Sequence, residues 1–241
     1  MSEYVFFKFR EINKHLVDSL VKTTIYCASP EKLNDPFDCR VDIKKAAIQA
    51  ISQLSGRKKE ILTKLSGMEG YLDQIQKDTS NVALCSFSLV LEEPLLWAHY
   101  ANQHKGLCLT YEFTEEFLDN PESILGVAPV EYEDNSMTKW FIENTPEQET
   151  DLKEFTLEMV KKVLTIKSPV WGYEKEVRII REHEGPFEIE KEHLKQICFG
   201  LDTAEADIDL IMRLVDNSGY SVGYCKIVRS ESDFGVEVRE I

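Results

Sequence analysis

Basic residues are scarce in this chain of 241 residues: 28 lysines and arginines face 43 aspartates and glutamates, for a net charge of -15. So acidic a chain repels phosphate, which disfavours sequence-independent binding to DNA or RNA. It still leaves room for a small anionic ligand gripped by one or two local arginines. Long apolar runs are also missing. No stretch reaches the length of a membrane-spanning helix, so no membrane association is expected. Met1-Ser2-Glu3 leads straight into a strand pattern without the segments of a signal peptide, and the expected location is cytoplasmic. The six cysteines, Cys27, Cys39, Cys85, Cys108, Cys198 and Cys225, form no Cys-x-x-Cys pair. They are expected as reduced, buried small hydrophobes, with no metal site. Glycine-rich phosphate loops of the Gly-x-Gly-x-x-Gly and Gly-x-x-x-x-Gly-Lys kinds are absent, as are His-Glu-x-x-His and Gly-x-Ser-x-Gly.

What the chain does contain is a succession of strand and helix patterns. Residues 4–10 alternate as a strand, with Phe6, Lys8 and Arg10 on one face and Val5, Phe7 and Phe9 on the other. A helix over 11–21 and a strand over 23–28 follow. Two prolines and an Asn34-Asp35-Pro36 turn make residues 29–38 a rigid irregular loop, of the kind that either lines sites or bonds its own backbone. Residues 82–88 read as a strand on which Ser86 and Ser88 share the face opposite Cys85 and Phe87. After Pro94, a short helix closed by Gly106 carries Trp97, Tyr100, Ala101 and His104 on one face, with His99 beside it.

Strands over 107–113 and 128–132 come next. Thr145-Pro146-Glu147 should then start a helix whose stripe of Leu152, Phe155, Met159, Val163 and Ile166 packs on a sheet. A strand over 196–199, a helix capped by Thr203, and strands over 220–228 and 234–238 complete the pattern. Together they predict an α+β fold with a mixed, mainly antiparallel sheet core and flanking amphipathic helices. One domain over 1–241 is expected, with a helical insert over about 44–78.

The stretch richest in candidate chemistry is residues 168–180. Pro169 and Gly172 punctuate a turn, and the residues from Tyr173 onward alternate as a strand. On that reading Glu174, Glu176 and Arg178 share one face. Two carboxylates so close raise each other's affinity for protons, and an arginine on the same face opposes that. Such a face is either a catalytic edge or an ion-paired structural strand. Asp38, Asp42 and Lys44 are too close in sequence for the acidic-lysine signature of restriction-type nucleases.

Arginine, then Ser-x-Ser, then Glu-x-Glu, each on a strand and in this chain order, resembles the pattern of arginine-serine-glutamate ADP-ribosyltransferases. That resemblance implies NAD as substrate and no metal. It makes Glu176 the catalytic carboxylate, with Glu174 positioning an acceptor. Arg10, with Lys8 beside it, would hold the diphosphate, and Ser86 and Ser88 would orient the ribose. Trp97, His99 and Tyr100 would wall the pocket. A carboxylate beside an oxocarbenium-like ribose suits cleavage of a glycosidic bond, whether by transfer or by NAD hydrolysis. A protein acceptor is expected over a nucleic acid.

A second likeness rests on Phe7-Lys8-Phe9-Arg10, on Ala28-Ser29-Pro30 through Asn34-Asp35-Pro36-Phe37-Asp38, and on Cys85-Ser86-Phe87-Ser88. It continues through Leu96-Trp97-Ala98-His99-Tyr100-Ala101, His104-Lys105-Gly106-Leu107-Cys108 and Trp171-Gly172-Tyr173-Glu174-Lys175-Glu176-Val177-Arg178. In this order they resemble a bacterial family known as domain of unknown function 2971, over nearly the whole chain. The likeness implies no activity, but it implies a bacterial or phage defence or toxin setting. The expectation is a divergent NAD-dependent ADP-ribosyltransferase-like enzyme, and the alternative is a non-catalytic ligand- or protein-binding domain.

Overall fold

The computed structural model describes residues 3–134 and 136–241. In chain order, β1 (Glu3–Arg10), α1 (Lys14–Lys22) and β2 (Thr24–Cys27) precede three helices, α2 (Ile43–Gln53), α3 (Gly56–Gly67) and α4 (Tyr71–Asn81). Then come β3 (Ala83–Ser88), α5 (Pro94–Tyr100), β4 (Leu107–Thr114), α6 (Glu115–Leu118), β5 (Gly126–Pro129) and β6 (Glu131–Tyr132). They are followed by α7 (Ser136–Asn144), α8 (Leu152–Thr165), β7 (Ile166–Lys167), a 3-10 segment (Pro169–Glu174) and β8 (Glu176–Arg181). The chain ends with β9 (Gly185–Glu188), β10 (Leu194–Phe199), α9 (Glu205–Asn217), β11 (Gly223–Arg229) and β12 (Val236–Glu240).

These elements make an α+β fold, as their patterns predict. By internal contacts the chain divides into two compact units. Unit 1 takes Met1–Cys27, Leu84–Pro129 and Gly172–Ile241, and unit 2 takes Ala28–Ala83 and Val130–Trp171. The helices of the expected insert thus fold together with residues 130–171.

Unit 1 is built on a sheet of order β12-β11-β10-β4-β1-β3-β8-β5 among the described residues. In it β1–β3, β1–β4, β4–β10, β11–β12 and β5–β8 pair antiparallel, and β10–β11 pairs parallel. Opposed residues in a ladder point to the same face, so the pair Phe7 and Ser88 places Phe7, Phe9, Ser86 and Ser88 on one side. Lys8, Arg10, Cys85 and Phe87 therefore lie on the other. On that second side, Phe6 packs on Phe87 and Phe113 at ring separations of 5.5 and 5.8 Å. The ribbon of β2 and β9 covers it, with the Cys27 and Cys85 thiols hydrogen-bonded to each other. On the first side, Trp97 of α5 meets Phe9 edge-on at 5.0 Å, and Leu96, Ala101, Cys108, Cys198, Cys225 and Ile227 join them in an apolar core.

The turn after α5 is strained. Asn102, Gln103 and His104 have φ of 47°, 55° and 66°, a left-handed run that costs each residue about 1–2 kcal/mol. Gly106 lets the turn close: a Cβ there would sit 2.2 Å from the Arg10 carbonyl oxygen. Thr203 does not cap α9, which starts at Glu205. Its hydroxyl instead donates to the Gly106 carbonyl at 2.7 Å and pins this turn.

Unit 2 is mainly helical. Ile43, Ala47, Leu62, Leu65, Ile75, Phe141, Phe155, Met159 and Val163 form its core, and Trp140 stacks on Phe155 at 5.0 Å. The stripe of α8 is thus buried among helices, not on a sheet, because α2, α3, α4 and α7 present matching apolar faces. The helix expected at Thr145 begins at Leu152. Thr145 instead bonds back to the Phe141 carbonyl through its hydroxyl, at 2.5 Å, and closes α7.

Candidate functional site

The Glu-x-Glu segment is not a continuous strand. Glu174 ends the 3-10 segment, Lys175 is left-handed with φ 44°, and β8 begins only at Glu176. Two bonds hold this bend. Ser88 Oγ donates to the Glu174 carbonyl at 2.7 Å, and the Leu89 amide donates to the Lys175 carbonyl at 3.0 Å. The kink carries the Glu174 carboxylate to α5, where it accepts a hydrogen bond from the Tyr100 hydroxyl. His99 Nδ1 and the Tyr173 hydroxyl are paired at 2.8 Å.

Glu176 keeps the alternation expected of it. Arg181 stacks on Phe187 of the β2–β9 ribbon at 4.3 Å, so Arg181 and Ile179 face the ribbon side. Glu176 and Arg178 therefore face the side of Ser86 and Ser88. The Glu176 carboxylate accepts from Arg178 Nε at 2.8 Å and from a terminal guanidinium nitrogen at 3.1 Å, a bidentate pair. Its side chains are 6% and 0% exposed. A charge this deep needs such partners, since desolvation otherwise outweighs attraction.

The structure thus brings together Ser86, Ser88, Tyr100, Glu174 and Glu176, with His99 at the exposed edge. It does not bring Arg10 and Lys8 to them. These two lie on the opposite face, where Lys8 Nζ donates to the Ser86 carbonyl at 2.8 Å and sits 4.9 Å from the Phe87 ring. The guanidinium on the carboxylate face is that of Arg178. Trp97, expected to wall a pocket, is fully buried, with its indole N–H given to the Leu91 carbonyl at 2.8 Å. On the ribbon face burial pushes the Cys85 thiol up, but the bond from Cys27 and the Lys8 ammonium outweigh it and bring it to about 7.

A second site lies within unit 2. An open cleft of about 920 Å³ is lined by the loop at 35–38, the start of α2, the residues around Glu133 and Asp134, and the segment from Ile166 to Trp171. Its volume is that of a small-ligand site. Asp35 builds the loop by accepting the Phe37 amide at 2.9 Å, which leaves Phe37 81% exposed. Val170 is 74% exposed. Beneath them Asp38 and Lys167 form a buried pair at 3.6 Å, and the Lys167 ammonium lies 5.0 Å from the Trp171 ring. Among the described residues no cluster fit to hold a metal is found. The loop was legible as a candidate because of its prolines. Lys167 and Val170 were not, since nothing local marks a lysine as buried or a valine as exposed.

These features define an α+β protein with a buried polar network on one sheet face and an open cleft in its helical unit. A family model described as a protein of unknown function (DUF2971) matches residues 96–179. The matched stretch holds α5, Tyr173, the Glu-Lys-Glu bend and Arg178. The family likeness is therefore supported over that stretch and not over the whole chain, because the pieces at residues 7–10, 28–38 and 85–88 lie outside it. The match lends no support to the ADP-ribosyltransferase resemblance. No curated protein and no solved structure matches the chain.

Proposed function

We propose that this chain is a ligand-binding domain whose binding surface is the cleft of unit 2. The carboxylates of the Glu-Lys-Glu bend are then structural. One observation carries this reading: Glu176 and Arg178 are buried and joined in a fork, whereas Phe37 and Val170 project from the cleft with most of their apolar surface in water. Large apolar side chains on a rigid loop are left exposed where a partner covers them. A carboxylate locked in a fork with arginine has little charge to lend a developing cation.

A thermal-shift screen of small molecules and short peptides, run on the wild type and on Phe37→Ala, tests this. The expected result is a ligand that raises the melting temperature of the wild type and not of the variant. Nicotinamide release from NAD that disappears in a Glu176→Gln variant of unchanged melting temperature would overturn it.

A second reading is supported by a different observation, that Ser86, Ser88 and Glu176 share one face of adjacent strands. That reading is an ADP-ribosyltransferase-like enzyme acting on NAD. In that reading NAD lies along this face, Glu176 stabilises the ribosyl cation and Glu174 positions the acceptor. His99 and Tyr100 flank the nicotinamide. Arg10 and Lys8 have no part in it, and the same NAD assay decides between the readings.

A further inference from the structure

We infer that the unit 2 cleft takes a basic peptide segment, one in which a lysine or arginine stands beside an apolar side chain. This rests on the cleft being the binding surface. The exposed charges that line it are the carboxylates of Asp42, Glu133 and Asp134 against the single ammonium of Lys45. Glu133 is shared with Lys139 and Lys162 at 3.9 and 4.0 Å, which leaves Asp42 and Asp134 against Lys45. Asp35 is buried and bonded to the Phe37 amide, and Asp38 is buried with Lys167. The whole chain, at a net charge of -15, adds a field of the same sign.

A nucleotide or another phosphate would enter against this field, whereas a cation is drawn in. Charge alone does not define the occupant, because Phe37 and Val170 expose apolar surface that a bare polyamine would leave uncovered. The cleft is also open rather than enclosed, so a chain can lie across it with one side chain down. A lysine or arginine has the right build for such a place: its methylenes cover apolar surface while its charged head reaches the rim carboxylates.

The test uses the full chain and three fluorescein-labelled pentapeptides read by anisotropy: Gly-Leu-Lys-Phe-Gly, its counterpart with glutamate for lysine, and Gly-Ser-Lys-Ser-Gly. The first should bind, more weakly as salt rises. The glutamate peptide should bind at least about tenfold more weakly, since it meets like charge at the rim. The serine peptide should also be weaker, because it lacks apolar cover. Asp134→Asn should narrow the preference for lysine over glutamate without moving the melting temperature. Phe37→Ala should weaken both leucine-containing peptides. Equal or tighter binding of the glutamate peptide that still depends on Phe37 would overturn the inference and leave the cleft reading standing. Tight binding of all three peptides regardless of Phe37 would overturn both. No binding of the lysine peptide, with a Phe37-dependent shift from NAD, would assign the cleft to anions and overturn the inference alone.

Discussion

Replacing Glu176 by glutamine is the most informative single change to this protein. Glutamine keeps the shape and one acceptor oxygen, so one of the bonds at 2.8 and 3.1 Å survives. The other becomes a donor facing a donor. The guanidinium of Arg178, 0% exposed, is left with a neutral partner in the fork. Removing one member of a buried pair typically costs about 3–5 kcal/mol. For a chain of this size each kcal/mol lowers the melting temperature by about 2–4 °C, so the expected loss is on the order of 10 °C. Urea unfolding followed by tryptophan fluorescence and by circular dichroism provides the assay, with coincidence of the two transitions checked because the chain has two units. A double variant, Glu176→Leu with Arg178→Met, should recover part of the loss, because both members of the fork are then removed together. A cost for Glu176→Gln below about 1 kcal/mol, the scale of an exposed pair, would refute the structural role.

Other outcomes follow from the same packing. Gly106→Ala should destabilise by at least about 2 kcal/mol in urea unfolding, since its Cβ would fall 2.2 Å from the Arg10 carbonyl. Thr203→Val should cost about 1–2 kcal/mol by leaving the Gly106 carbonyl short of its 2.7 Å bond. Burial lowers the pKa of His193 from 6.5, and its Nδ1 accepts the Glu190 amide at 3.1 Å, so the folded state holds it neutral. The unfolded chain then binds the proton first, so stability should be full above pH 6.5 and decline below it until the folded-state pKa is passed. His193→Gln should flatten that decline in urea midpoints measured across the range. All six cysteines are free and buried, so a thiol reagent should label them only at the rate of opening.

Much of unit 1 was legible because its signals are local. The alternation in β1 and β3 puts Phe6, Phe9, Cys85 and Phe87 where the faces require them. The Glu-Lys-Glu segment was misread as straight because it is bent by distant groups, the Ser88 hydroxyl and Tyr100, and no local signal announces a left-handed lysine. Thr145 and Thr203 look like helix starts in sequence, but each hydroxyl found a carbonyl instead, one at the end of α7 and one 97 positions away in the chain. The stripe of α8 announced burial without naming the neighbour. Arg10 and Ser88 could be assigned to opposite faces only through the register of β1 on β3, a fact of pairing that neither strand carries alone. The cleft eluded the sequence for a similar reason: its lining comes from separated segments, and the exposure of Phe37 is set by one Asp35 bond.

The position of β1 has a consequence for how the chain is made. It is synthesised before the strands it pairs with, yet it belongs in the interior of the sheet, between β4 and β3. At about 5–20 residues per second, on the order of ten seconds pass before its long partner β4 has been synthesised. Through that wait a strand reading Val5-Phe6-Phe7-Lys8-Phe9-Arg10 stands with both edges bare, the kind of segment that joins other nascent chains. Lys8 and Arg10 interrupt it with like charges, as gatekeepers do. Only when β3 arrives does the Lys8 ammonium find the Ser86 carbonyl and fold its charge into the finished sheet. On this view the two cations guard the newborn strand before they serve the folded one.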